Sequence, residues 1–218
     1  MKMSSSSDTK TRINMDTELK AVLQKAFELQ QWIERQQDGL EIKADNAVRV
    51  AGALFDLAIE YQAGIAHLCM GRIYGPAFAL VRAQFEALVR GSWLRLSATP
   101  EELNRFVDSD RLDLKMWQLL AAIESHPNFS DKVLSGIHAN VWTSMNSYTH
   151  SGMLQVTRRL KAGTIEPSYE SKEVVEVLRA AGFFALVSMN QIAQMAGAHE
   201  VVAKVRDLMN GVTQDLSD

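Results

Sequence analysis

Cysteine is the scarcest residue type in this chain of 218 residues, which contains only Cys69. A single cysteine excludes an intrachain disulfide and every zinc site built from several cysteines, and it fits a reducing cytosol. Proline and glycine are also few, at 4 and 12 residues, which excludes a collagen-like or low-complexity chain. Because Cys69 lies in a mostly apolar helical segment without an obvious activating neighbour, we expect a small buried thiol rather than a nucleophile.

The chain also lacks strong charge and long apolar runs. The net charge of −3 and the pI near 6.0 argue against a generally basic nucleic-acid-binding surface, although a local basic groove is compatible with them. The most hydrophobic stretch, residues 180–189, is far shorter than the ~20 apolar residues that span a bilayer. We therefore expect a cytoplasmic protein with no membrane partner.

The N-terminal segment differs in composition from the rest of the chain. Residues 1–14 are polar and Ser-rich and have no apolar core of a signal peptide, which predicts a disordered leader. Residues 15–218 show no composition shift, no long linker and no internal repeat. This continuity predicts a single domain.

Almost all of the remaining sequence has the three- and four-residue apolar spacing of amphipathic helices, and strand patterns are nearly absent. Glycine, proline and candidate caps divide it into helices at about 19–38, 45–71, 76–96, from 99 onward, 110–124, 130–150, 171–196 and 200–213, with the longest loop at 162–171. Short connections between long helices favour antiparallel neighbours. The prediction is an all-α protein, an up-and-down helical bundle with additional short helices.

The common motifs of metal and nucleotide sites are absent from the sequence. The five histidines form neither HExxH nor the Glu-x-x-His pairs of carboxylate-bridged metal bundles. No GxGxxG, GxxxxGK[ST] or GxSxG sequence occurs, so a nucleotide-binding loop and a hydrolase nucleophile elbow have no support. We therefore expect no bound metal and no cofactor.

The predicted helix 76–96 is apolar on two sides and carries a charged stripe between them. Arg82, Glu86 and Arg90 follow one another at four-residue spacing, so Glu86 can pair with Arg82. Because charges on a core helix are costly to bury, they need partners or solvent. The stripe is therefore either a structural ion pair with solvated neighbours or part of a functional site.

A second polar cluster lies close to residue 150. Asn146 and His150 are four residues apart, on a helix face that adjoins Trp142. Histidine is the usual proton-transfer group near neutral pH, and Asn146 could fix its tautomer. A histidine at a helix end also commonly satisfies backbone carbonyls, so a structural and a functional interpretation both remain open.

Two short motifs carry a family resemblance over roughly residues 74–152. They are the Arg-x-x-x-Glu helix that ends in Trp93-Leu94, and the run Asn-Ser-Tyr-Thr-His-Ser-Gly at 146–152. Together they resemble uncharacterised bacterial helical families related to the HEPN superfamily, whose members include defence and toxin ribonucleases. The resemblance implies a helical dimer in which two Arg-x4–6-His motifs form a metal-independent RNA-cleaving cleft. His150 matches the histidine of that motif, and Asn146 matches its polar residue.

The arginine of that motif has no counterpart, because residues 143–145 are Thr, Ser and Met. Either the activity is lost, or Arg82 supplies the cation from the neighbouring helix. In the enzyme interpretation, Arg82 stabilises charge on the phosphate and is oriented by Glu86, while Asn146 orients the general acid–base His150. The cations expected to hold the RNA backbone are Arg90, Arg158, Arg159 and Lys161, the last three of which could instead be a solvated helix end.

Two functions therefore stay open at this point. The chain is either a HEPN-like defence or toxin protein acting as a metal-independent endoribonuclease, or a non-catalytic helical module that binds a ligand or a protein partner such as an antitoxin. The many helices that are apolar on more than one side predict a homodimer in either case. Both functions also require Arg82, Glu86, Asn146 and His150 to meet in one partly buried polar pocket.

Overall fold

The computed structural model describes the backbone of residues 6–42, 45–161 and 163–215, and the side chains of residues 17–42, 45–161 and 163–210. This part of the chain contains helices α1 (Ser6–Gln37), α2 (Asn46–Met70), α3 (Tyr74–Leu96), α4 (Pro100–Ser109), α5 (Met116–Ile123), α6 (Val133–Thr149), α7 (Met153–Thr157), α8 (Ser171–Met195) and α9 (His199–Asp215). It also contains a short 3-10 turn at Pro127–Phe129 and two short strands. The predicted all-α class is confirmed.

Helix α3 occupies the centre of the fold, where it contacts α2, α5, α6 and α8. Gly91 of α3 faces Phe55 of α2, and Leu80 faces Gly64, so α2 and α3 run in opposite directions. Helix α1 covers α2 and α8, and α9 packs on the outer side of α8. Consecutive long helices joined by short turns thus build the bundle around α3.

The core between α2, α3 and α8 is apolar apart from a few well-placed polar groups. Phe85 of α3 is fully buried and its ring centroid lies 5.3 Å from that of Phe184 on α8. Gln84 is also fully buried, and its Nε2 donates hydrogen bonds to the carbonyl oxygens of Ala58 (3.0 Å) and Ala181 (2.9 Å). Because a buried amide needs such partners, this glutamine ties three helices together.

The structure differs from the predicted leader, because helix α1 begins at Ser6, inside the segment 1–14. Residues 1–5 lie outside the described residues. No glycine or proline occurs between residues 6 and 37 to end the helix. A helix that is already nucleated by an apolar stripe extends into a polar segment at little cost per residue, and a prediction from polar composition overlooks this.

Two helix starts also lie later than the sequence predicted. The helix expected at 110–124 begins at Met116, because Asp110 adopts a left-handed conformation (φ 49°) that ends α4. The helix expected from residue 130 begins at Val133, after a left-handed Lys132. Ser130 lies before this start, and its hydroxyl donates to the carbonyl of Pro127 at 3.0 Å.

A small hairpin that the sequence did not indicate overlaps the start of the predicted loop at 162–171. Strands β1 (Leu160–Lys161) and β2 (Thr164–Ile165) pair antiparallel, with Leu160 opposite Ile165. Gly163 has φ +82°, a conformation that favours glycine, and it lies in the connection. Strands of two residues that are exposed on both faces leave no alternating pattern to read.

None of the described helices is both long and apolar enough to cross a bilayer. The longest buried stretch belongs to α8, which lies in the core of the bundle against α1, α2, α3 and α9.

Candidate functional site

The site lies along the seam between α3 and α6. Phe78 of α3 meets Tyr148 of α6 with ring centroids 5.0 Å apart, and Phe85 meets Trp142 at 6.4 Å, so the two helices run antiparallel. The hydroxyl of Thr149, at the end of α6, donates to the carbonyl oxygen of Ala79 on α3 at 3.2 Å. The seam is therefore closed by aromatic packing and crossed by polar contacts.

Arg82 is held on three sides in this seam. Its Nε donates to Glu86 Oε1 at 2.8 Å, one helical turn further along α3. Its guanidinium carbon lies 4.8 Å from the centroid of the Trp142 ring, which is a cation–π contact. Its Nη1 contacts His150 Nε2. The predicted meeting of Arg82 with Glu86 and His150 is confirmed.

The contact between Arg82 and His150 fixes the tautomer of the imidazole. A guanidinium has only donors, so His150 Nε2 must accept and the ring proton must lie on Nδ1. His150 is the residue after the last turn of α6, and its backbone N–H donates to Asn146 O at 3.0 Å. Its exposed position leaves the imidazole accessible to solvent and to a substrate.

Asn146 lies on the same face of α6, one turn before His150. Its Oδ1 is buried and accepts no hydrogen bond from the part of the chain that the structure describes. The link to His150 that the structure contains runs through the Asn146 backbone carbonyl, not through the side chain. The predicted meeting of Asn146 with Arg82 and His150 therefore rests on no side-chain hydrogen bond among the described residues, and neither does its predicted orienting role.

Glu86 is shared between two arginines, because Arg90 Nη2 donates to its Oε2 at 3.3 Å. The Arg90 Nε is buried and has no acceptor among the described residues. Glu86 and Arg82 each keep about a fifth of the side chain exposed, at 20%. The charged stripe is thus a continuous ion-paired ladder on the solvent side of α3, with Arg82 at the end nearest His150.

The remaining cations predicted to hold RNA fall into two groups. Arg158 pairs with Glu173, and Lys161 Nζ pairs with Glu166 Oε1 at 3.1 Å. Arg159 is exposed and forms no ion pair with any described residue. Arg159 is therefore the cation of this run whose charge is not balanced by a neighbouring carboxylate.

The structure adds residues that the sequence did not single out. His138 packs against the Trp142 ring, which also contacts Arg82, and the centroids of the two rings are 4.8 Å apart. Burial lowers the pKa of the His138 imidazole below 6.5. Tyr169 follows the hairpin and packs on Phe78 at 5.1 Å. Four-residue spacing from Trp142 could have indicated His138, but no local pattern links Tyr169 to α3.

Cys69 is a buried thiol in the structure, and burial raises its pKa to about 12. The expectation of a small buried thiol is confirmed. Among the side chains of residues 17–42, 45–161 and 163–210, no three His, Cys, Asp or Glu converge in a way that could hold a metal ion.

Comparison with known proteins adds a family assignment. No curated protein and no solved structure matches the chain. The profile of a family of unknown function, DUF6988, matches residues 55–218, a range that contains α3, α6, α7 and every residue of the site. Since that match spans most of the sequence, the chain belongs to the DUF6988 family.

Proposed function

We propose that this protein is a HEPN-like, metal-independent endoribonuclease of the defence or toxin type. The observation that carries the proposal is the contact between Arg82 and His150 at an accessible seam. A cation and a neutral imidazole side by side supply the charge stabilisation and the general base for phosphodiester cleavage without a metal. The cytoplasm is the compartment proposed for this activity.

In the proposed reaction, His150 Nε2 removes the proton of a ribose 2′-hydroxyl. The 2′-oxygen forms a bond to the adjacent phosphorus, and the bond from phosphorus to the 5′-oxygen breaks. The leaving 5′-oxygen takes a proton from water, and His150 then gives the proton it has gained to the resulting hydroxide. Arg82 stabilises the extra negative charge on the phosphoryl oxygens as the bonds change.

Arg82 replaces the arginine that is missing at residues 143–145 in this proposal. It extends from α3 rather than α6, and it still reaches the imidazole of His150. Glu86 and Trp142 fix the guanidinium from the other two sides. A preorganised guanidinium of this kind loses little freedom when an anion binds.

The resting contact also sets a condition on catalysis. Since Arg82 occupies the lone pair of His150 Nε2, the imidazole cannot accept a substrate proton until that contact breaks. A guanidinium binds a phosphate oxygen more strongly than a neutral imidazole, because both partners of the hydrogen bond then carry charge. Substrate binding therefore frees the base by drawing Arg82 toward the phosphate.

The alternative is a non-catalytic module that binds a ligand, an antitoxin or another protein partner. Two observations favour it: the network of Arg82, Glu86 and His150 is closed on itself, and the segment after α6 carries exposed large apolar side chains. The apolar side chains are Met153, Leu154, Val156, Leu160 and Ile165. Patches of this kind often mark interaction sites on soluble proteins.

The homodimer belongs to both proposals, because a second copy would cover apolar surface that one chain leaves exposed. Sedimentation or light scattering at micromolar concentration measures the mass directly. We expect about twice the chain mass of 24.3 kDa. A particle of one chain mass would remove the dimer from the proposal.

The deciding experiment compares His150→Ala with His199→Ala, an exposed histidine at the start of α9, on fluorescent RNA in the presence of EDTA. We expect cleavage by the wild type and by His199→Ala, and a loss of at least about 10²-fold in His150→Ala with an unchanged melting temperature. If the wild type cleaves no RNA and His150→Ala mainly lowers the melting temperature, the binding module is the better description.

A further inference from the structure

Three polar side chains converge over a glycine at the start of α3. A methyl group placed on Cα of Gly75 would lie 3.0 Å from Gln155 Nε2, 3.2 Å from Arg159 Nη2 and 3.3 Å from Tyr169 Oη. Gln155 belongs to α7, Arg159 to the two residues that follow α7, and Tyr169 to the segment after the hairpin. The missing side chain of Gly75 is therefore what allows these groups to gather there.

The hydrogen bonds of this cluster leave its donors available. Tyr169 Oη donates to Gln155 Oε1 at 3.2 Å, which fixes the amide and leaves both protons of Gln155 Nε2 as donors. Burial raises the pKa of the Tyr169 hydroxyl, which keeps it protonated for this bond, while the charges of Arg159 and Arg158 oppose that rise. An amide N–H₂ and a guanidinium thus adjoin each other.

The charge of the cluster is net positive. Arg158 is neutralised by Glu173, whereas Arg159 forms no ion pair within the described part of the chain. An exposed guanidinium next to an oriented amide matches the geometry of a phosphate oxygen, which accepts several hydrogen bonds at once. The cluster is suited to an anion.

Gly75, over which the cluster gathers, lies on the same side of α3 as Arg82 of the candidate catalytic pair. Gly75 and Arg82 are separated by two helical turns, a rise of about 10 Å along the axis. The buried Phe78 ring packs against both Tyr148 (5.0 Å) and Tyr169 (5.1 Å), and these two residues are partly exposed. Beyond Arg82, the partly exposed Trp142 contacts the guanidinium.

From this arrangement we infer that Gln155 and Arg159, positioned by Tyr169 over Gly75, bind a second phosphodiester of a single-stranded RNA whose scissile phosphate lies at Arg82 and His150. This inference rests on the proposed function and adds a subsite to it. Cations beside partly exposed aromatic rings are the pattern of single-strand binding, because bases stack on the rings while phosphates contact the cations.

The test measures binding separately from cleavage. The probe is a short fluorescent single-stranded RNA whose riboses are 2′-O-methylated, so that the attacking hydroxyl is absent. Its affinity is measured over a series of salt concentrations for the wild type, Arg159→Met, Gln155→Leu and Lys204→Met. Lys204→Met is the matched control, because Lys204 is an exposed cation on α9, which packs on α8.

We expect Arg159→Met to weaken binding about tenfold, since a charge-assisted hydrogen bond to phosphate is lost. It should also reduce the slope of log affinity against log salt by about 0.7, the value for one phosphate contact on a single strand. Gln155→Leu should weaken binding without changing that slope, because an amide carries no charge. Lys204→Met should change neither quantity, and a duplex of the same sequence should bind more weakly.

The outcomes separate this subsite from the proposed chemistry. Probe binding that depends on Arg159 supports the subsite even if the wild type cleaves nothing. If the wild type cleaves unmodified RNA but Arg159→Met keeps the same probe affinity, salt slope and KM, the subsite is wrong and the nuclease stands. Failure of the wild type to bind the probe also overturns the subsite. Gln155→Leu gives an independent measurement if Arg159→Met does not fold.

Discussion

Helices α8 and α6 pack against the same central helix, α3, but they do so in opposite ways. Fifteen of the 25 residues of α8 are buried, whereas α6 buries only Leu134 and Met145 among its 17. The α8 side is filled by interlocking aromatic and aliphatic side chains, and the α6 side is crossed by charged and aromatic contacts. We conclude that α2, α3 and α8 supply stability and that the α3–α6 seam is free to carry chemistry.

The polar groups of the two sides differ in the same sense. Gln84, on the α8 side, is bound to backbone carbonyls that cannot move without separating helices. Arg82, on the α6 side, is bound to side chains of Glu86, Trp142 and His150. Side-chain contacts at a partly exposed seam can be exchanged for contacts with a ligand, and the core contacts cannot.

The largest effect is expected from a truncation in the α8 side of the core. Phe184→Ala removes a side chain that is 1% exposed and packs on Phe85, so it should lower the free energy of unfolding by about 3–5 kcal/mol. Ile165→Ala, at 85% exposure on the hairpin, should cost almost nothing. Urea denaturation followed by circular dichroism measures both, and equal losses would abolish the contrast between the two regions.

A second prediction uses glycines from the two sides. A Cβ at Gly91 would come 2.9 Å from Cε1 of the fully buried Phe55, so Gly91→Ala should destabilise the protein by about 1–3 kcal/mol through overpacking. Nothing lies within 4 Å of a Cβ at Gly136 of α6. Gly136→Ala should therefore stabilise by about 0.5–1 kcal/mol, the gain in helix propensity.

Thermal denaturation of the two glycine variants provides the check, because the expected shifts have opposite signs. A higher melting temperature for Gly91→Ala would mean that the α2–α3 contact is looser than the structure has it. A lower one for Gly136→Ala would mean that the outer face of α6 is covered, which a second copy of the chain could do.

The third prediction concerns the ion-paired ladder. Glu86→Gln keeps the size of the side chain but removes the charge that pairs with Arg82 and Arg90. The cost in unfolding free energy should be only about 1 kcal/mol or less, because the pairs are partly exposed and screened. Any RNA cleavage should fall much more than stability does, since Arg82 loses its orientation. A matched fall in both would assign Glu86 a structural role.

The sequence predicted the parts of this molecule that depend on local spacing. The pairing of Arg82 with Glu86 follows from four residues on one helix, and the apolar stripes located the long helices. The contact with His150 crosses 68 positions of the sequence and was inferred only from the need of a core arginine for partners.

The cluster at Gly75 shows what the sequence could not supply. Gln155, Arg159 and Tyr169 are brought there by the packing of α7 and of the segment after the hairpin, which have little periodicity. A glycine near a proline at a helix start is an ordinary signal for a turn. Only the three-dimensional arrangement shows that polar side chains occupy the space it leaves.

The smallest expected effect is a change in the titration of His138, at the edge of the seam. Burial against neighbours that include Trp142 lowers the pKa of His138 below the unfolded value of 6.5. Between the folded and the unfolded pKa, His138 binds more protons in the unfolded chain than in the folded one. Its contribution to stability is therefore present above pH 6.5 and is lost as the pH falls through the folded pKa. Proton NMR should give a midpoint below 6.5 in the wild type. Trp142→Ala should move it upward by exposing the ring, and an unchanged midpoint would show that Trp142 does not cause the burial.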